Sequence, residues 1–115
     1  MIISQRLQSI SLDITVGYEM IGGMPESLPP LILGFAGRLR RVREACGYAT
    51  RRAFAEALGI EEAAYCKYER AESYPHPETL GRIRQLTGAS VDYLYFGDEA
   101  GLPVRLHQRL RELAD

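Results

Sequence analysis

Long apolar runs are missing from this 115-residue chain. The best of them, Leu31 to Ala36, is interrupted by Gly34 and follows Pro29 and Pro30. A membrane-spanning helix needs roughly 18 consecutive apolar residues, so no membrane partner is expected. The amino terminus has no basic region leading into an apolar stretch, so no secretory signal is expected either. Cysteine is scarce. Two cysteines cannot build a disulfide framework, and with two histidines they offer no zinc-ligand spacing. Reduced thiols and a cytoplasmic location are the expectation. A charge excess is also lacking, because 14 Lys and Arg face 15 Asp and Glu. That excludes a polybasic binder acting by bulk charge, and it excludes an acidic solvating tail. No internal repeat, phosphate-cradling glycine loop, Ser/His/Asp or Cys/His set, or carboxylate pair with a cleft is visible. Neither an enzyme nor a cofactor or metal site is therefore expected.

What is there describes one globular domain with tails. Hydrophobic residues make up 46% of the chain and charged residues 25%, which is ordinary for a folded domain. Residues 1–34 form a charge-poor extension and linker, 35–97 a charge-dense helical domain, and 98–115 a linker and a last helix. Within the extension, Ile10, Leu12, Ile14, Val16 and Tyr18 alternate with Ser11, Asp13, Thr15 and Gly17. This period of two marks a half-buried strand. One strand is not stable alone. It either pairs with its copy in a dimer, pairs with residues 2–8, stays unstructured, or lies in an extension that a start at Met20 or Met24 would omit.

From Phe35 the period changes. Phe35, Leu39, Val42 and Cys46 share one helical face, and Gly47 suits a left-handed exit. Thr50 is a good N-cap for a second helix that buries Phe54 and Leu58 and stops at Gly59. A third helix starts near Glu61 and carries Tyr65, Tyr68 and Glu69. Pro77 suits the first turn of a fourth, which buries Leu80, Ile83 and Leu86 before Gly88. Ser90 caps a fifth, with Val91 and Leu94 buried and Gly97 at its end. Pro103 opens a last helix with Leu106, Leu110 and Leu113 on one stripe. The fold class is all-α: five helices in a bundle, an extra C-terminal helix, and an N-terminal extension with the one possible strand.

Two short helices joined at Gly59–Ile60 make a helix-turn-helix over Thr50–Glu69. Ala55 is small where the helices cross, Gly59 supplies the turn, and Ile60 and Tyr65 fill the crossing. With RLRRVREACGY (38–48), RAFAEALGI (52–60), YCKYE (65–69), YPHPETLGRIRQLTGAS (74–90) and VDYLYFG (91–97), the chain resembles the Cro/C1-type, lambda-repressor-like helix-turn-helix domain.

The resemblance implies sequence-specific binding of double-stranded DNA, with the third helix in the major groove. Carried over residue by residue, it puts Glu61, Glu62, Ala63 and Lys67 at base edges. It puts Arg51, Arg70, Ser73 and Tyr74 at the phosphate backbone, and Thr50 and Arg52, beside Arg51 at the start of the second helix, are expected there with them. It also implies a partly buried Arg43–Glu69 ion pair between the first and third helices. A charge argument stands beside it. Arg51 and Arg52 lie at a helix N-terminus, where cations are disfavoured by about 0.3–1 kcal/mol each unless an anion joins them.

Some residues depart from the family pattern. Glu61 and Glu62 stand where relatives often carry neutral or basic side chains. They stabilise the helix N-terminus, or accept from cytosine N4, or weaken DNA binding. Ala71 replaces a usual glycine, which predicts a less sharp turn, and the Gly47–Tyr48–Ala49–Thr50 connection is one residue longer than the commonest version, a variant the fold should tolerate. Over residues 38–97, ten basic residues face eight acids, a net of +2, so binding should rest on placed contacts. The first expectation is a transcriptional regulator, a repressor acting as a homodimer on a pseudo-palindromic operator. The dimer contact is open between the fifth helix, the leucine stripe and the strand, and the leucine stripe fits equally well packed back on its own domain. The second expectation is a protein-interaction module such as an antitoxin.

Overall fold

The computed structural model describes residues 30–114, all helical apart from turns and loops. The period-two segment at 10–18 lies outside the described residues. The helices are α1 (Leu31–Ala45), α2 (Arg51–Leu58), α3 (Glu62–Glu69), α4 (Pro77–Thr87), α5 (Val91–Phe96) and α6 (Val104–Ala114).

α1 begins four residues before the apolar periodicity does, because extended Pro30 acts as its cap and Leu33 N–H donates to the Pro30 carbonyl. Its inner face, Phe35, Leu39 and Val42, is fully buried, and it is the central strut against which α3, α5 and α6 pack. Phe54, Tyr65, Ile83 and Leu94 complete the core from α2, α3, α4 and α5. Two residues expected inside are not there. Leu86 and Val91 are exposed, and Tyr93 is buried beside Leu94 in place of Val91. Periodicity selects a face, but the neighbour's width decides how much of that face is covered.

Leu106 and Leu110 of α6 belong to this same core, while Leu113 is exposed. The leucine stripe thus packs back onto its own domain. Arg41 donates to the Leu110 carbonyl at 2.8 Å and Arg109 to the Ala45 carbonyl at 3.2 Å, fastening α6 to α1 at both sides.

Arginines also close other helix ends. Arg38 donates from Nε to the Leu94 carbonyl (2.9 Å) and from Nη2 to the Tyr95 carbonyl (2.8 Å) at the end of α5. Arg82 donates to the Leu58 and Gly59 carbonyls at the end of α2. These carbonyls have no partner within their own helices, so each arginine answers an otherwise unmet acceptor.

The turn after α3 corrects one expectation. Ala71 sits at φ 61°, in the left-handed region usually left to glycine. Its N–H donates to the Tyr68 carbonyl, and Glu72 N–H donates to the Lys67 carbonyl at 2.9 Å. This double bond pattern is a Schellman closure, and it keeps the turn sharp despite the side chain. Left-handed backbone costs a non-glycine residue about 1–2 kcal/mol. Ala71→Gly is therefore expected to stabilise the domain by about 0.5–1 kcal/mol after the extra chain entropy of glycine. Thermal denaturation should show a Tm a few degrees higher; an equal or lower Tm would contradict the strain.

Candidate nucleic-acid interface

α2 and α3 are fixed relative to one another by their turn and by one buried side chain. Thr50 is extended at the N-cap of α2, and its hydroxyl accepts from Ala53 N–H at 3.1 Å. Gly59 ends α2 at φ 76°, and Ile60 N–H returns to the Ala55 carbonyl at 3.0 Å. Any other residue would be strained at that angle. Ala55 is buried at the crossing, and Phe54 meets the Tyr65 ring edge-on at 5.3 Å.

The buried side chain is Glu69, at the end of α3, with 0% of its side chain exposed. Arg43 donates to it from Nε at 2.7 Å and from Nη2 at 3.3 Å. Arg43 Nη1 donates to the Tyr48 and Ala49 carbonyls, which fixes the loop leading into α2. The Tyr65 hydroxyl donates to Glu69 Oε2, and Arg51 Nε donates to Oε1 at 3.2 Å. One carboxylate therefore joins α1, the α1–α2 loop, the first turn of α2, and α3. Burial opposes the Arg43 charge, but the bond and charge of Glu69 outweigh that and hold its pKa above the ordinary value.

Burial, and then the bond to Glu69, push the Tyr65 phenol well above the ordinary tyrosine range. Its neutral form adds stability that is complete below the ordinary value of about 10 and is lost as pH climbs beyond it. The Tm of the wild type should therefore fall more steeply above about pH 10 than that of Tyr65→Phe. Parallel curves in that range would contradict this role.

Opposite the buried Tyr65 and Tyr68, α3 turns Glu62, Ala63 and Lys67 to solvent, with Cys66 half-buried among them. Glu61 is the extended N-cap, exposed, and makes no side-chain capping bond. Arg70 follows on the same side and pairs with Glu72 at 3.0 Å. That bond lowers the Glu72 pKa and raises that of Arg70. Arg52 is exposed, 3.7 Å from Glu56. The structure thus brings Thr50, Arg51, Arg52 and the outward side chains of α3 onto one helix-turn-helix unit.

One residue of the expected set, Tyr74, has other company. Tyr74 stacks on Tyr95 at 5.2 Å and meets Phe35 edge-on at 5.4 Å, so its ring is part of an aromatic cluster. Ser73 is half-buried beside it in sequence. Sequence reasoning missed the Arg51–Glu69 bond. It read the two first-turn arginines as wanting an outside anion, whereas Arg51 already has an inside one. Cys46 is half-buried, and burial raises its thiol pKa despite nearby Arg109, which makes it a poor nucleophile. Among the described residues, no cluster of His, Cys, Asp and Glu could hold a metal ion, and no helix is long and apolar enough to cross a membrane.

The paired helices, the left-handed turn between them and the outward face of the second define a helix-turn-helix protein. The helix-turn-helix domain family matches residues 35–94, and the chain belongs to that family. It is similar to the SPbeta prophage-derived uncharacterized HTH-type transcriptional regulator YonR of Bacillus subtilis (strain 168), with 36% identity over 66 residues. The match covers 57% of this chain and 60% of that relative's length. No solved structure matches the chain.

Proposed function

We propose that the chain is a sequence-specific DNA-binding transcriptional regulator of the Cro/C1 type that acts as a repressor. In this reading α3 enters the major groove. Glu61, Glu62, Ala63 and Lys67 face base edges, and Thr50, Arg51, Arg52, Arg70, Ser73 and Tyr74 lie along the phosphates. The observation that carries it is the division of labour on α3. Tyr65, Tyr68 and Glu69 face inward, and Glu62, Ala63 and Lys67 face solvent with no ion pair among the described residues. The family match and the regulator name carried by the relative support the same reading.

One helix reads few bases, each worth about 1–3 kcal/mol. That is too little against roughly 10⁶–10⁹ competing sites. A homodimer on a pseudo-palindromic operator doubles the readout. α5 exposes Val91 and Phe96 and suits the contact better than α6, whose Leu106 and Leu110 are already in the core.

Selection from a random duplex pool tests the proposal. The expected product is a pseudo-palindrome with half-sites about one helical turn apart. Enrichment of cytosine in the half-site would assign a base contact to Glu61 or Glu62. If no motif is enriched, the reading fails in favour of a protein-interaction module such as an antitoxin. What favours that second reading is the unpaired, exposed Glu61 and Glu62 on the outward face.

A further inference from the structure

The Glu69 carboxylate faces two guanidiniums, and only one of them is needed to tie α3 to α1. Arg43 is 7% exposed and spends its donors on Glu69 and on two loop carbonyls. Arg51 differs. It gives Glu69 one Nε–H bond at 3.2 Å, while its side chain is 40% exposed. A guanidinium has five N–H donors in a rigid plane. Fixing Nε from the protein side fixes the direction of the whole fork. Its Nη donors make no hydrogen bond among the described residues. Two positive charges against one negative leave the knot with one net positive charge, carried on its exposed member. No acid stands in the first turn of α2 to answer it.

Resting on the proposal that the chain binds DNA, we infer that Glu69 is a positioning residue for that contact. It holds Arg51 by Nε so that the Nη edge points outward from the start of α2 at a backbone phosphate. The carboxylate that orders the core thereby also aims a phosphate clamp. Arg51 meets the DNA already ordered, and the side-chain entropy of an arginine is lost on folding instead of on binding.

The test uses the full chain and a random-sequence duplex of about 20 base pairs at low salt, because a phosphate contact acts on any sequence. Arg51→Gln should weaken binding about tenfold and reduce the slope of log affinity against log salt by about one. Arg51→Lys keeps the charge but cannot hold Glu69 and a phosphate with one planar fork, so it should lose affinity about as the glutamine variant does while keeping more of the salt slope. A lysine variant that binds as tightly as wild type would overturn the inference and leave only a surface charge. The second arm repeats Arg51→Gln in a Glu69→Gln background, where the loss should shrink to about twofold because the aim is already gone. An undiminished tenfold loss there would also overturn it. Should Glu69→Gln not fold, Arg43→Met with Glu69→Met supplies the background, since it removes both buried charges together. Failure of the wild type to bind any duplex at low salt would instead sink the DNA-binding proposal itself.

Discussion

Replacing Glu69 by methionine is expected to destabilise the domain by about 3–5 kcal/mol, the range for stripping one partner from a buried ion pair. The physical reason is the charge left behind. Arg43 is 7% exposed, and a guanidinium cannot discharge by losing its proton. The Tyr65 hydroxyl would lose its acceptor as well. For a domain of this size, each kcal/mol moves Tm by about 4–8 °C, so the shift should exceed about 12 °C. Arg43→Met should cost less, because Glu69 keeps Arg51 and Tyr65. The double variant should be more stable than the sum of the two losses predicts, since no buried charge is left alone. Thermal unfolding followed by circular dichroism distinguishes these outcomes. An unchanged Tm for Glu69→Met, or strict additivity in the double variant, would show that the knot does not hold the helices together.

The second large effect belongs to α6. A chain ending at Gly97 should lose about 3–6 kcal/mol from the uncovered core, because Leu106 and Leu110 are each 4% exposed and a buried leucine contributes about 1.5–3 kcal/mol. The Arg41 and Arg109 bonds to backbone carbonyls would go with them. Point variants separate burial from chain length. Leu110→Ala should cost about 2–4 kcal/mol, whereas Leu113→Ala, at 42% exposure, should stay within about 0.5 kcal/mol. Equal effects at the two positions would mean that α6 does not pack as described. The comparison also bears on association. Shortening the chain would disturb the fold before it could report on a dimer, so surface variants at Val91 or Phe96 are the better probe of α5.

Much of this architecture is legible without coordinates, because it depends on near neighbours in the chain. Thr50 and Ser90 cap the helices that follow them, each accepting a bond from the N–H three residues on. Gly47, Gly59, Gly88 and Gly97 all take the left-handed exits that their places after apolar runs suggest. The apolar stripes identify Phe35, Leu39, Val42, Phe54, Leu58, Ile83 and Leu94 as core. Such signals are local, since a helix repeats every 3.6 residues and a cap reaches only one turn. The family pattern adds a longer reach, and Arg43 and Glu69, 26 residues apart, do meet.

Other features depend on which surfaces the packing brings together, and no period or cap reports them. The count of ten basic residues over 38–97 treats Arg38 and Arg82 as surface charge, yet they reach 56 and 24 residues along the chain to close the ends of α5 and α2. Tyr74 reads as a loop residue until α1 and α5 bring Phe35 and Tyr95 to it. Ala71 shows that a sharp turn need not await a glycine when packing and two backbone bonds offset the strain. By itself, the order of residues determined the helices, their ends and the helix-turn-helix. Tertiary structure alone decided that Arg51 shares the carboxylate of Arg43 and that α6 completes the core. Both depend on where side chains far apart in sequence come to lie, and a guanidinium takes its partner from whatever acceptor packing leaves within reach.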